Sequence, residues 1–274
     1  MKHSFFQPVF FLLLVLSGLA GCRPDPAEEP SDSLPPQQQL PNPLPDKALV
    51  TLLWWAEKDH QSFSYNVKGQ VSQLTSQWQF VEGDPTQIRT ITYNFQYDAQ
   101  DRPSGITTTD GFSAKYFYNG NVIDKTQELY PGGAISNELT YRYRNGRVSE
   151  EHWRIPGIAG DPDDVYKHAF SYDAKGNLNL IETYERDSLQ QYRLLEKVEY
   201  QDFDDKINPT SWMMRYPYLP QMRFQINNPR REIHTRTGEA PVITLNEYEY
   251  NADGVPVSRR TTKPSGELVM EYHY

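Results

Sequence analysis

The feature that most constrains the fold of this chain is a short unit in which aromatic or leucine residues alternate with polar ones on either side of a turn. It is clearest at 170–181, which reads Phe-Ser-Tyr-Asp-Ala-Lys-Gly-Asn-Leu-Asn-Leu-Ile. Such alternation is typical of half-buried strands. Asp173 is a residue type that accepts backbone N–H groups at the start of a type I turn, and Gly176 can take the left-handed conformation that closes a three-residue loop. The unit is therefore predicted to be a β-hairpin.

Related units recur along the chain at irregular spacing. They lie at 63–71, 95–101, 116–120, 141–146, 170–181, 200–207 and 248–254. Asp101 stands where glycine is expected, and aspartate tolerates the left-handed conformation. The pairs Asn119-Gly120 and Asn145-Gly146 suit two-residue type I′ turns. The pattern predicts an all-β fold: an antiparallel meander of tyrosine-rich hairpins, strongly twisted and able to curl toward a barrel.

Composition supports a β-sheet core and argues against a nucleic-acid partner. Of the 274 residues, 13% are aromatic and 19 are tyrosine, which favours cross-strand aromatic pairs over leucine-rich helices. The formal net charge is −9 and the pI is near 5.2, whereas phosphate binding needs a basic surface. We therefore expect no nucleic-acid partner.

The N-terminal segment has the shape of an export signal. Lys2 and His3 precede an apolar run at 5–20 that is too short for a convincing transmembrane helix. Leu19-Ala20-Gly21-Cys22 resembles a bacterial lipobox, and the resemblance implies cleavage before Cys22 and an acyl lipid on that residue. A plain signal peptide with an incidental cysteine and an uncleaved anchor are the alternatives. We interpret 1–21 as a lipoprotein signal peptide and expect no cofactor other than the lipid.

The stretch 22–46 follows the signal and is rich in Pro and Gln. Because this composition cannot bury enough apolar surface to order itself, we expect a lipidated cysteine and a disordered tether with a reach on the order of 70 Å at ~3.1 Å per residue. Its acidic cluster resembles the export signals of surface lipoproteins in Bacteroidota, which favours the cell surface over the periplasmic face of the outer membrane. Residues 47–274 are predicted to form a single hairpin-repeat domain.

The repeated pattern Tyr-x-Tyr-Asp/Asn-x-x-Gly-x-Val/Leu resembles the YD repeat of RHS proteins. Together with the lipobox, the tether, Phe-Asp-Asp-Lys at 203–206 and Asn-Asn-Pro at 227–229, it is more closely similar to Bacteroidota lipoproteins that carry a porin-like β-domain of unknown function. The resemblance spans most of the mature chain. It implies a fold more strongly than an activity, because one fold hosts many functions.

Two loops interrupt the strand pattern, at 155–164 and 212–221. In the second, Trp212, Tyr216 and Tyr218 are candidate ligand-binding residues, because flat rings on a protruding loop stack on sugars or anchor protein partners. Burial of the same rings in the core is the alternative.

The first loop carries candidate oxygen ligands for Ca²⁺ at Asp161, Asp163 and Asp164, although their spacing does not match an EF-hand loop and a solvated turn is the alternative. Glu150-Glu151-His152 is not an HExxH motif, and strand alternation places its two carboxylates on opposite faces. The sequence contains no GxSxG, P-loop or paired CxxC motif, so we predict a protein that is not an enzyme.

Three functional hypotheses follow. The first is a non-enzymatic, lipid-anchored envelope module on the cell surface that binds a glycan or a protein. The second is a scaffold docked to an outer-membrane complex. The third is an integral outer-membrane β-barrel, favoured by the alternation of Leu268, Met270, Tyr272 and Tyr274 up to a C-terminal aromatic residue. Polar residues at 124–128 and a mean hydropathy of −0.74 argue against the third hypothesis.

Overall fold

The computed structural model describes residues 48–56, 58–79, 87–157, 163–215, 218–219 and 222–274, and it contains a closed barrel of sixteen antiparallel strands. The strands are β1 (Leu52–Ala56), β2 (Asp59–Tyr65), β3 (Val71–Gln79), β4 (Ile88–Tyr97), β5 (Pro103–Thr108), β6 (Ser113–Asn119), β7 (Val122–Leu129), β8 (Ile135–Arg144), β9 (Arg147–Ile155), β10 (Asp164–Tyr172), β11 (Leu178–Arg186), β12 (Tyr192–Phe203), β13 (Pro229–Arg236), β14 (Val242–Tyr250), β15 (Pro256–Lys263) and β16 (Gly266–His273). Each strand pairs with its neighbours along the chain, and β1 pairs with β16. The predicted all-β, barrel-like meander is confirmed.

The barrel closes between its first and last strands. Leu53 lies opposite Tyr272, and the Thr51 N–H donates to the His273 carbonyl over 2.7 Å. Because successive strands run up and down, β1 begins and β16 ends at the same rim, which we call the near rim; the opposite one is the far rim. The turns of the repeated hairpins lie at the near rim. Closure leaves no strand edge free to pair with another chain.

Turn chemistry explains why the repeated units form hairpins. In the clearest unit, Asp173 Oδ1 accepts the N–H groups of Lys175 and Asn177, both over less than 3 Å. Gly176 has a φ of 90°, a conformation that L side chains disfavour. Asp101 takes the glycine position of its own hairpin with a φ of 62°. Both predictions for these turns are confirmed.

The two Asn-Gly turns differ from each other. Asn145 and Gly146 both have positive φ, as the predicted type I′ turn requires. After β6, however, Asn119 pairs with Val122, so the loop consists of Gly120 and Asn121, and only Gly120 has positive φ. This loop matches type II′, because glycine at the first loop position supplies the left-handed conformation.

A ring of tyrosine hydroxyls ties successive hairpins together near the near rim. Each of these tyrosines lies within one residue of the end of its strand and donates to a backbone carbonyl near the start of the preceding strand, over 2.6–2.8 Å. The pairs are Tyr65 to Val50, Tyr97 to Val71, Tyr118 to Pro103, Tyr143 to Ile123, Tyr172 to Val148 and Tyr274 to Pro256. The equivalent residue at the end of β12 is Phe203, which has no hydroxyl. The ring is therefore interrupted at β12, and also at β14, where the terminal Tyr250 donates to the Asp204 carboxylate of the segment after β12.

Side chains alternate between the barrel interior and its outer wall. On β8, Leu139 and Tyr141 point inward and are buried, whereas Arg142 points outward and is exposed. The alternation at the C-terminus follows the same rule, because Met270 and Tyr272 are buried inside the barrel. The apolar face of this sheet is thus its interior face.

An insert at 204–228 joins β12 to β13 and contains the 3-10 helix Ser211–Arg215. Within the described part of the chain, no helix combines the length and the apolar composition needed to cross a membrane.

Candidate functional site

The described part of the insert 204–228 enters the barrel from the near rim. Trp212 is buried against Phe63 of β2, with ring centroids 5.7 Å apart and ring planes nearly perpendicular. Phe224 packs on Phe170 of β10, with centroids 6.0 Å apart. A sixteen-strand wall encloses more space than its own side chains fill, so apolar residues that enter it gain burial that a protruding loop would not give them. We call this insert the plug.

Hydrogen bonds at the near rim hold both ends of the plug. The buried Asn177 side chain accepts the N–H groups of Ile226 and Asn227 through Oδ1, over 2.8 Å each. Asp204 Oδ1 accepts the N–H of Asn228 over 3.1 Å. Residues of one near-rim turn therefore anchor a segment some fifty positions later in the chain.

Tyr218 carries the plug toward the far half of the barrel. Its hydroxyl donates to Glu128 Oε2 of β7 over 2.8 Å, and burial raises the pKa of Tyr218 well above its ordinary value. Trp212 and Tyr218, two of the candidate ligand-binding residues, thus lie inside the barrel and not on a protruding loop. Tyr216 lies outside the described residues. The positions of Trp212 and Tyr218 agree with the alternative expectation, that these rings are buried in the core.

Of the candidate Ca²⁺ ligands, Asp163 is engaged by other groups. Its Oδ1 accepts the Gly157 N–H over 3.0 Å and its Oδ2 accepts Arg154 Nη1 over 2.9 Å, and these bonds lower the pKa of Asp163. Asp164 is exposed at the start of β10. Asp161 and the lipidation candidate Cys22 lie outside the described residues. Where the structure describes the chain, no three His, Cys, Asp or Glu side chains gather as a metal site requires.

The interior also contains two pairs of a glutamate and a histidine that sequence reasoning missed. Glu151 is 1% exposed, and its Oε1 lies 2.8 Å from His168 Nδ1, whereas Glu150 points to the outer wall as alternation predicted. Nearby, His234 Nε2 lies 2.9 Å from Glu196 Oε2, and this hydrogen bond raises the pKa of His234 and lowers that of Glu196. The partners are 17 and 38 residues apart, so no local motif reveals them.

A groove of about 440 Å³ crosses the outer wall from β8 to β12 near the far rim. Its volume is in the range of known small-molecule sites, about 300–1,000 Å³. The strand register brings side chains of all five strands into one row, with Glu138 opposite Arg154, Arg154 opposite Val165, and Arg186 opposite Tyr192. The groove is therefore a property of the assembled sheet, not of any one segment.

Three guanidinium groups line the groove, and carboxylates pair with two of them, those of Arg142 and Arg154. Arg154 lies 2.9 Å from Asp163 and 3.4 Å from Glu138, and its hydrogen bonds to these carboxylates raise its pKa. Arg186 forms no ion pair with any residue that the structure describes. The groove can therefore offer hydrogen-bond donors to an anion.

Tyr192 gives the groove an oriented aromatic ring. Its hydroxyl lies 3.4 Å from His152 Nδ1, and the two rings meet edge to face with centroids 6.2 Å apart. The Lys167 ammonium lies 4.9 Å from the centroid of the Tyr192 ring and 4.8 Å from that of Tyr184. Cation–π and edge contacts of this kind fix the orientation of a ring that stays 36% exposed.

Sequence reasoning did not identify the groove, because its residues come from five strands and form no local motif. The available signal was the alternation along each strand, which marks Arg154 and Arg186 as outward-facing once Glu151 and Thr183 are placed inside. The register between strands is set by pairing and turn geometry, so the row could not be read from single strands.

Comparison with known proteins supports the fold. No protein-family model matches the chain, and no curated protein matches it. A porin-like protein from Bacteroides vulgatus ATCC 8482 superposes with a TM-score of 0.59 at 12% identity, covering 82% of this chain and 98% of that chain. A porin-like protein from Bacteroides uniformis ATCC 8492 gives a TM-score of 0.54 at 12% identity, with 82% and 96% covered. The chain therefore shares the fold of porin-like Bacteroides proteins, as its resemblance implied, while the lipoprotein and YD-repeat resemblances stay predictions.

Proposed function

We propose that this protein is a plugged β-barrel of the bacterial outer membrane that stands in water, is anchored by a lipid on Cys22, and acts as a non-enzymatic binding module. The observation that carries the proposal is the polar outer wall. The likeness to porin-like Bacteroides proteins supports an outer-membrane setting, the lipobox supports the anchor, and the acidic tether favours the cell surface.

Charged side chains cover the outer wall in pairs that join neighbouring strands. The pairs are Lys125–Glu138 at 3.7 Å, Arg142–Glu150 at 3.5 Å, Lys197–Glu182 at 3.0 Å and Arg260–Glu267 at 3.4 Å. A Lys or Arg that faces lipid near the bilayer midplane costs about 2–4 kcal/mol, whereas the same residue is solvated in water. A wall with this distribution of charge favours an aqueous surrounding.

The plug argues against transport through the barrel. Trp212, Leu219 and Phe224 are buried in the interior, so they occupy part of the space through which a solute would pass. The outer wall and the two rims therefore remain as the surfaces on which a partner can bind.

An integral outer-membrane barrel is the second candidate, favoured by the closed sixteen-strand wall and by the likeness to porin-like proteins. Membrane insertion would require a continuous apolar band on the outer wall. Ile243, Leu245 and Val269 are exposed apolar residues there, but Arg231 lies opposite Leu245 and Arg260 lies opposite Val269. The apolar residues thus form no uninterrupted band on this side of the barrel.

Metabolic labelling and fractionation test the proposal. The full chain and its Cys22→Ala variant are expressed in a Gram-negative host that is fed an alkyne-tagged fatty acid, and membranes are then washed with sodium carbonate. We expect the wild-type chain to carry the label and to remain with the outer membrane. The variant should be unlabelled and should leave the membrane as a folded protein with a β-sheet circular dichroism spectrum.

Retention of Cys22→Ala in carbonate-washed membranes, with heat-modifiable migration on gels, would contradict the proposal and support the integral barrel.

Protease treatment of intact cells checks the membrane face, because the protease can cut the tether of a barrel that lies on the cell surface. A tether that survives in intact cells and is cut only after lysis would place the barrel in the periplasm.

A further inference from the structure

We propose that the groove across β8 to β12 binds a carboxylate-bearing saccharide, such as an oligosaccharide of uronic acid. This proposal rests on the binding function proposed above and names its site and ligand class. The groove lies near the far rim, whereas the chain enters the barrel at the near rim. A barrel tethered through its N-terminal side therefore presents the groove away from the anchor.

The groove has an apolar floor with cations on both sides. Val165 belongs to the outer wall, yet it is only 8% exposed. Arg154 lies opposite it on β9, and the register of β10 with β11 brings Arg186 to its other side. From Glu138 to Tyr192 the row crosses four inter-strand spacings, about 19 Å at ~4.8 Å each. These dimensions suit a short, extended oligosaccharide with its apolar C–H face on the floor.

The arginines of the groove differ in whether a carboxylate of the protein already pairs with them. Arg142, Arg154 and Arg186 line the groove with the carboxylate Glu138, in a chain with a net charge of −9. Arg142 and Arg154 already pair with carboxylates of the wall and the adjoining loop. Arg186 forms no ion pair among the described residues. Because a guanidinium binds a carboxylate through two parallel hydrogen bonds, Arg186 is the main ligand of the uronate group.

Tyr192 completes the saccharide site. It lies directly opposite Arg186, and His152 and Lys167 hold its ring in place. Sugar rings have an apolar C–H face and polar edges, so they bind where one aromatic ring stands beside planar donors and acceptors. Tyr192 provides the ring, and Arg186 and Glu138 provide the polar groups.

A peptide fits the groove less well than a saccharide. The closed barrel has no free strand edge, so an extended peptide cannot add to the sheet by backbone hydrogen bonds. The outward side chains that line the described groove include only Val165 and Tyr192 as apolar surfaces, which leaves no set of pockets for alternate peptide side chains.

Calorimetric titration of the purified full chain tests the proposal. The probes are trigalacturonate, the neutral trisaccharide galactotriose, and an acidic peptide of glutamates. Arg186→Gln and Tyr192→Ala are compared with Arg260→Gln and Tyr130→Ala, which alter an arginine on β15 and a turn tyrosine outside the groove. Thermal unfolding of each variant confirms that its fold is kept.

We expect trigalacturonate to bind at least about tenfold more tightly than galactotriose, since one bidentate ion pair is lost with the neutral sugar. Arg186→Gln and Tyr192→Ala should each weaken binding at least about tenfold, and the two control variants should bind as the wild type does. Equal binding of the neutral sugar, tighter binding of the peptide, unchanged binding by both groove variants, or no binding of uronate oligosaccharides would overturn the proposal. Lipidation of Cys22 does not enter this titration, so failure here and failure of the anchor are separate results.

Discussion

At the scale of single residues, the six tyrosines of the hydroxyl ring serve the wall more than any ligand. Their rings face the interior, and their hydroxyls reach back toward the start of the preceding strand. For Tyr143, the hydroxyl lies 2.8 Å from the Ile123 carbonyl, and burial raises the pKa of Tyr143 well above its ordinary value. The hydroxyl therefore remains a hydrogen-bond donor throughout the physiological pH range.

Replacing Tyr143 by Phe tests this role. The change leaves the buried Ile123 carbonyl without its tyrosine donor, so the free energy of unfolding should fall by about 1–2 kcal/mol. Tyr130→Phe, at an exposed turn position, should change it by less than about 0.5 kcal/mol. Urea unfolding of the purified proteins gives both values, and equal losses would show that the ring of hydroxyls adds nothing to the wall.

The His234–Glu196 pair predicts a dependence of stability on pH. The pKa of His234 is raised, so its contribution is complete below the unfolded value near 6.5 and is lost as pH rises through the folded value. The pKa of Glu196 is lowered, so its contribution exists above the unfolded value near 4.5 and is lost as pH falls through the folded value. The pair is therefore strongest between these limits.

We expect His234→Gln to cost about 0.5 kcal/mol more at about pH 5.5 than at about pH 8.5, a small difference because the pair is partly exposed to solvent. Thermal unfolding of the variant and the wild type at the two pH values measures it. A larger cost at the higher pH would show that charge on His234 is not what stabilises the pair.

Turn residues were predictable from the sequence because their partners are close along the chain. Asp173 binds N–H groups two and four residues later, and Asp101 needs only its own backbone conformation. The acceptor of each hydroxyl of the ring lies in the preceding strand or just before it, 15 residues away for Tyr65 and 26 for Tyr97. Such a partner depends on register, which a single segment does not encode.

At the scale of elements, the plug is the segment whose position differs most from the sequence-based expectation. Prolines and aromatic residues after β12 indicate a loop, and loops usually lie on the surface. Whether a loop turns inward depends on how much space the wall encloses, and strand number sets that space. The aromatic content of the plug is a signal for burial only after the barrel is known.

Asn177→Ala should loosen the plug. The change removes the acceptor of the Ile226 and Asn227 N–H groups inside the barrel, which should lower the free energy of unfolding by about 2–3 kcal/mol. Hydrogen exchange should become faster in 204–228 than in the strands. Asn121→Ala, in an exposed hairpin loop, is the matched control and should leave exchange unchanged. Unaltered protection of the plug in Asn177→Ala would rule out this anchor.

At the scale of the whole molecule, the sequence indicated the strands and their antiparallel order but left the sheet open, curled or closed. Closure depends on contact between Thr51 and His273, which are 222 residues apart. Closure also depends on the number of strands and on their matching lengths, and neither can be read from a single repeat. The polar residues of β7 did not indicate the outer wall correctly, because Thr126 is buried inside the barrel and Glu128 accepts the Tyr218 hydroxyl of the plug.

Deleting β16 tests closure. Truncation after Lys263 removes Met270 and Tyr272 from the core, a loss of about 3–6 kcal/mol at ~1.5–3 kcal/mol for each side chain. It also frees one edge each of β1 and β15. We expect a melting temperature lower by about 10 °C or more, and aggregates in size-exclusion chromatography. Deletion of 1–46, which contributes no strand to the described barrel, should leave the elution volume and the melting temperature of the wild type unchanged. A β16 deletion that elutes and melts like the wild type would show that closure is dispensable.

The up-and-down strand order also shapes the time course of folding during the export proposed above. A hairpin between neighbouring strands can form within about 1–10 μs once both have left the translocation channel. The first strand is different, because its second partner is the last strand of the chain. A polypeptide that emerges with its N-terminus first must therefore leave one edge of β1 unpaired until β16 has also emerged. The period of greatest aggregation risk is then set by the speed of secretion, and a holdase in the periplasm would protect the chain most during that delay.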